Sequence, residues 1–142
     1  MRIEQKAAAK GRLKFIQQLI ARRPMLMAEQ LVAAGAIPSS SPVTWLSPLL
    51  TDEWAEYRDE AFLERIGHPE LAAALNGFWP TRGPQWDGLA KTGDIVLLVE
   101  AKAHVGELAS SGAAESPASR DLIAKSLDTT KKALARMRTQ TG

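Results

Sequence analysis

The chain is expected to fold as an α/β protein with a mixed sheet held between helices. Three features carry that expectation. The run Ile95-Val96-Leu97-Leu98-Val99 is apolar on both alternating faces, as in an interior strand covered on each side. Helical periodicity flanks it, through Leu13, Ile16, Leu19 and Ile20 before and Ile123, Leu127, Leu134 and Met137 after. A turn sequence, Lys91-Thr92-Gly93-Asp94, joins it to a second extended stretch, Trp86 to Ala90.

The elements follow in order. Residues 2–22 read as a helix with Lys6, Lys10 and Lys14 four apart on a face of their own. Gly11 weakens that helix by about 1 kcal/mol relative to Ala, and Pro24 ends it. A second helix, 25–34, stops at Gly35. The stretch IPSSSPV, 37–43, is linker chemistry, so residues 1–43 are expected as an N-terminal helical extension and 44–142 as the core. A third helix is expected from Thr51 as N-cap, with Asp52 and Glu53 at its positive end. Trp54, Tyr57, Ala61 and Phe62 form its apolar side, and Gly67 closes it before Pro69. Residues 69–76 add further helical turns, and GFWPTRGP, 77–84, is extended. A small-residue loop, 109–119, precedes a last helix from Ser119 to Met137.

Composition narrows the chemistry. The 142 residues suit one domain with a real core, and 45% hydrophobic with 24% charged residues is ordinary for a globular protein. The absence of cysteine excludes a disulfide framework, a thiolate zinc site and a thiol nucleophile. His68 and His104 are too few for an all-histidine centre, so any metal is expected on oxygen ligands, which favours magnesium or manganese. A net charge of +2 permits a nucleic-acid partner. The opening MRIEQKAAAKGR has no apolar signal-peptide core, and no apolar run is long enough to span a bilayer. No membrane association and a cytoplasmic location are expected.

Alternation along the apolar strand places Val96, Leu98, Glu100 and Lys102 on one face and Ile95, Leu97, Val99 and Ala101 on the other. Whether the loop is Lys91–Asp94 or only Thr92-Gly93, the hairpin register is the same and sets Asp87 opposite Leu98. Opposed residues share a face, so Asp87 joins Glu100 and Lys102, with Asp87 and Glu100 as diagonal neighbours about 7–8 Å apart at the backbone. A bulge in either strand would reverse that parity. Two such carboxylates repel unless positive charge lies between them. A divalent cation fits there, polarises a phosphoryl oxygen and lowers the pKa of a bound water. Lys102 then stabilises charge on the phosphate or orients the water. These are the parts of phosphodiester hydrolysis. A Glu-x-Lys at a strand end is also the ordinary pattern of a surface ion pair.

Asp87, a gap of a dozen residues and an apolar strand ending Glu100-Ala101-Lys102 resemble the PD-(D/E)XK nuclease superfamily, the restriction-endonuclease-like fold. The helix EWAEYRDEAFLERIG before and the helix from Ser119 after match that family's order of elements. FWPTRGPQWDGLA with LLVEAKAH is also similar to a group of uncharacterised bacterial proteins assigned to it, and the resemblance covers residues 45–137. It implies magnesium- or manganese-dependent hydrolysis of DNA, with Asp87 and Glu100 as metal ligands and Lys102 as the motif lysine. It further implies a glutamate ligand from the first core helix, Glu60 in preference to Glu56, although Glu53, Glu56, Glu60 and Glu64 also read as one solvated acidic stripe. Trp86 stands at a position where proline is expected but loosely kept. The family's core continues with a strand and helix after its second core helix. These 142 residues are therefore expected to hold a core incomplete at its C-terminus, with the sheet completed by another segment or subunit. An exposed sheet edge of that kind favours homo-oligomers. The alternative to a nuclease is a catalytically inactive nucleic-acid-binding or assembly module on the same fold.

Weaker candidates surround this set. Arg82, Gln85 and Lys91 are candidate contacts to a nucleic-acid backbone, and His104 to a phosphate, against ordinary solvated positions. Trp79 and Trp86 suit base stacking or, more commonly, a core. Lys6, Lys10, Lys14, Arg22 and Arg23 suit either an electrostatic arm on DNA or the wet side of a helix. Gly88 permits a close backbone approach to a ligand.

Overall fold

A three-stranded antiparallel sheet, in the order β2-β4-β5, organises the chain: β2 is Thr44–Ser47, β4 Gly88–Thr92 and β5 Ile95–Val99. The computed structural model describes residues 1–38, 42–106 and 116–140, with side chains of the last helix through residue 136. Five α-helices, a second, two-stranded antiparallel sheet and short 3₁₀ turns make up the rest of the described regular structure. The architecture is mixed α/β. The sheet is not mixed: every described strand pairing is antiparallel.

Helices cover both faces of the sheet. Leu89, Leu46 and Val96 meet Phe62, Leu63 and Ile66 of α3 (Glu60–Ile66). Trp45, Ala90, Leu97 and Val99 meet Ile16 and Ile20 of α1 (Gly11–Arg22), and Met27 and Leu31 of α2 (Pro24–Ala33). Fully burying a side chain of this kind contributes about 1.5–3 kcal/mol, and the β5 parity is the one its alternation predicts. β5 is not interior, however. It is an edge of the described sheet, with Leu98 44% and Ile95 38% exposed. The expected boundary at residue 43 falls between α2 and β2, whose two sides share one core.

The N-terminus departs from a continuous helix. β1 (Arg2–Ile3) pairs with β3 (Glu56–Tyr57), and α1 begins only at Gly11. The buried Gln17 side chain holds the extended stretch between them, accepting from Ala8 N–H at 2.9 Å and donating to the Lys6 carbonyl at 3.1 Å. Lys6 therefore lies outside the helix that was to align it with Lys10 and Lys14.

The expected helix from Thr51 is also broken. A 3₁₀ turn (Leu50–Asp52) gives way to Glu53 and Trp54 at φ 51° and 54°, then to β3, and Asp59 at φ 53° precedes α3. Left-handed non-glycine residues interrupt any helix, and the pairing of β3 with β1 takes the backbone that a helix would have used. Glu53, Glu56, Glu60 and Glu64 thus form no single stripe. Another 3₁₀ turn (Pro69–Leu71) leads into α4 (Ala72–Phe78).

The last helix, α5 (Pro117–Gln140), is tied to α4 by the Ser126 hydroxyl, which donates to the Phe78 carbonyl. Its expected apolar stripe is largely uncovered: Leu127 and Leu134 are both 58% exposed. The side chain of Met137, and residues 39–41 and 109–115 of the two expected loops, lie outside the described residues. No described helix is long and apolar enough to cross a membrane.

The hairpin turn is Gly93-Asp94, because Thr92 is buried and pairs with Ile95. Gly93 at φ 55° supplies the positive φ that a two-residue hairpin requires. The register differs from the expected one by two residues, since Leu98 pairs with Leu89 rather than Asp87. A shift of two preserves the face and, continued, sets Asp87 directly opposite Glu100.

Candidate active site at the margin of β4 and β5

Asp87 is the last residue before β4 and is only 2% exposed. Continuing the ladder would pair Trp86 with Ala101, but the Trp86 N–H donates to the Tyr57 carbonyl at 3.1 Å, joining β3 instead. The Ala101 N–H is met by a side chain: it donates to Asp87 Oδ2 at 2.8 Å. β5 therefore ends at Val99, and the expected strand to Ala103 is cut short. The other carboxylate oxygen, Oδ1, accepts from Arg12 Nε on α1 at 3.2 Å.

Glu100 and Lys102 flank the residue that Asp87 grips. Lys102 Nζ lies 2.5 Å from Glu100 Oε1, and both side chains are partly exposed, at 30% and 42%. The structure thus brings Asp87 to the backbone that carries Glu100 and Lys102. It leaves the three ionisable heads in two separate ion pairs, Asp87 with Arg12 and Glu100 with Lys102.

Glu56, 4% exposed on β3, shares a cavity of about 350 Å³ with Asp87, Gln5, Gln85, Lys10 and Arg12. Its Oε2 accepts from the side-chain amides of Gln85 and Gln5, the latter at 3.2 Å. Burial pushes the Glu56 carboxyl above the usual range and the Asp87 charge pushes the same way, while the two glutamines and Arg12 oppose them. Glu60 is placed elsewhere. It opens α3, accepts from Asn76 Nδ2 at 3.2 Å in an exposed position, and does not line this cavity. A helix through this segment offers Glu56 and Glu60 as alternatives, with Glu60 preferred, and the strand at β3 is what separates them.

The remaining candidates fall as follows. Gln85 lines the cavity and orients Glu56. Arg82 is exposed at a bend with φ 63°, and His104 is exposed beyond the end of β5, so it shares no strand face with Glu100. Lys91 donates to the Ile66 carbonyl at 3.0 Å, closing the C-terminal end of α3. Trp86 packs edge-on to Phe62 at 6.0 Å within the core. Gly88 faces protein: a Cβ there would lie 3.3 Å from Trp45 Cζ3 and 3.4 Å from Val99 Cβ. Arg12 was not legible as a site residue, because nothing local in the sequence links α1 to Asp87.

Among the described residues no three carboxylate or histidine side chains are grouped closely enough to hold a metal. Magnesium commonly uses one or two carboxylates and keeps its water. The donor set is compatible with that smaller demand: Asp87 and Glu56 border one cavity, Glu100 stands next to Ala101, and Asp87 Oδ1 already accommodates a cation in Arg12. Comparison with protein-family models, curated proteins and solved structures finds no match.

Proposed function

We propose that the chain carries a restriction-endonuclease-like core and hydrolyses DNA phosphodiester bonds with magnesium or manganese. The observation that supports this reading most is the Asp87–Ala101 hydrogen bond, which fastens the first motif carboxylate to the peptide between Glu100 and Lys102. In this reading Asp87 and Glu100 hold the ion, and Glu56 takes the place expected for Glu60 because it shares the Asp87 cavity. When bound, the ion supplies a Lewis acid for a phosphoryl oxygen and acidifies a water. The protein's own groups supply the rest. Ala101 N–H keeps the Asp87 carboxylate from rotating, and Gln5 and Gln85 orient Glu56. Lys102 presents an ammonium beside Glu100, where it can stabilise charge growing on the phosphate.

Supercoiled plasmid incubated with the protein and manganese tests the reading. Nicking by the native chain, lost in Lys102→Ala and in chelator, is expected; equal nicking by both proteins contradicts it. A second reading, a non-catalytic nucleic-acid-binding module on this scaffold, is favoured by the two ion pairs that already neutralise Asp87 and Glu100. Metal-independent DNA binding without nicking would support it.

A further inference from the structure

We propose that the exposed side of α1 is a binding track for single-stranded nucleic acid, in which Phe15 is a platform for a base and Lys14, Arg22 and Arg23 receive phosphates. Three grooves adjoin along this side. One of about 300 Å³ runs between Lys102 and Phe15. The next, about 440 Å³, runs from Phe15 to Arg22, Arg23 and Leu26. The third, about 330 Å³, lies between Arg22, Lys14 and Trp54. Phe15 borders the first two and Arg22 the last two, so aromatic and basic side chains alternate along a path that starts at Lys102.

Charge and exposure select the ligand. Residues 5–28 hold six basic residues and no acidic one. Among the described residues no acidic side chain lines any of the three grooves. Lys14, Arg22 and Arg23 enter no ion pair with a described residue, whereas Arg2 and Arg65 are both held by Asp52. Cations left in that state along a groove are complementary to a polyanion. Lys14, Gln18 and Arg22 follow one another at four-residue spacing on α1. Lys14 and Arg22 are thus about 12 Å apart along the axis, far enough to take separate phosphates. Phe15, 59% exposed in the middle of the helix, holds its ring out to solvent. An unpaired base can stack on such a ring, and a base inside a duplex cannot reach it. The track stands beside the ion site and does not depend on it, since no carboxylate takes part.

Fluorescence anisotropy of a labelled oligothymidylate of about 16 nucleotides, titrated with the full chain in chelator, tests the proposal. Binding is expected, at least about fivefold weaker in Phe15→Ala and weakened as much in Phe15→Leu, because leucine keeps apolar cover and lacks a ring face. Arg22→Gln combined with Arg23→Gln should flatten the slope of log affinity against log salt by about 1.4. Native affinity in Phe15→Leu overturns the platform, and an unchanged salt slope overturns the phosphate contacts. A duplex bound as tightly as the single strand, with the same sensitivity to Phe15, overturns the single-strand preference. Absence of binding overturns the track outright, and concentration-dependent dimerisation lost in Phe15→Ala would then assign this face to a second copy. Plasmid nicking without oligothymidylate binding removes the track and leaves the hydrolase, whereas binding as expected without nicking leaves the track alone.

Discussion

The Asp87 side chain takes the place of a strand at Ala101: its Oδ2 accepts the N–H that Trp86 would have met had the hairpin continued. One buried carboxylate thereby ends β5 and fixes the spot where Glu100 and Lys102 leave the sheet. Asp87→Ala orphans the part-buried Ala101 N–H and removes the Arg12–Asp87 ion pair, at a cost of about 1–3 kcal/mol for the unmet donor. Asp87→Asn keeps an acceptor for Ala101 and should cost less. Urea denaturation of the two variants measures the order, and an Asn variant as unstable as the Ala variant would place the stabilisation in the Arg12 pair instead.

Lys102 should separate stability from activity. Its ion pair with Glu100 is partly exposed, and pairs of that kind contribute roughly 0–1 kcal/mol. Lys102→Ala should therefore melt close to the native protein while losing metal-dependent cleavage. Thermal denaturation followed by circular dichroism, run beside the nicking assay, checks both halves.

Glu56 gives the pH dependence a sign. Burial and the neighbouring Asp87 raise its folded pKa above 4.5, so the folded state holds a proton that the unfolded state releases first. Its contribution to stability is full below 4.5 and falls as pH rises through the folded value. Glu56→Gln keeps an acceptor for the two glutamine amides and removes the titration. The variant should gain on the native protein as pH rises from 4 toward neutrality, a trend read from denaturant midpoints across about three pH units. A constant difference between the two proteins would show that Glu56 titrates normally in the fold.

Asp52 carries the opposite slope. Burial pushes its pKa up, but the Tyr57 and Arg2 hydrogen bonds and the Arg65 charge outweigh that and hold it below 3.8. Its contribution is present above 3.8 and disappears as pH falls through the folded value. Asp52→Asn should destabilise at neutral pH by about 1–3 kcal/mol through its hydrogen bonds to Tyr57 and Arg2, with the penalty shrinking in acid. Acid titration of the unfolding midpoint distinguishes this from a penalty independent of pH.

Gly88 is constrained by packing. The Cβ of an alanine would press on the Trp45 ring at 3.3 Å and would reach ordinary contact with the Val99 Cβ at 3.4 Å and the Ser47 carbonyl at 3.5 Å. Gly88→Ala should cost about 1–3 kcal/mol, as overpacking does, and should disturb the β2–β4–β5 seam beside Asp87. Denaturant unfolding measures the cost, and an unchanged midpoint would show that Trp45 gives way freely.

Where local pattern decides structure, the sequence was readable. The alternation of Val96 and Leu97 assigns β5 to its two covering layers, Pro24 separates α1 from α2, and Gly67 at φ 80° closes α3. Parity survives a register shift of two, so the ladder, if extended, still sets Asp87 opposite Glu100 although the turn lies one residue further on than either expected loop centre. What was hidden depends on distant partners. β3 exists because residues 2–3 pair with it, and that pairing converts an apparently helical Glu56 into a buried neighbour of Asp87. β2, the short stretch Thr44–Ser47 after a linker, carries too little pattern to announce a strand. Arg12 reaches Asp87 only because Ile16 and Ile20 seat α1 on the sheet.

Selective line broadening by manganese tests the ion site most directly. With substoichiometric manganese, the account predicts that the backbone amide of Ala101 and its neighbours Glu100 and Lys102 vanish first from amide NMR spectra, while those around Glu60 and Asn76 persist. Earliest loss around Glu60, or uniform loss with no preference for Ala101, would contradict an ion held by Asp87 and Glu100.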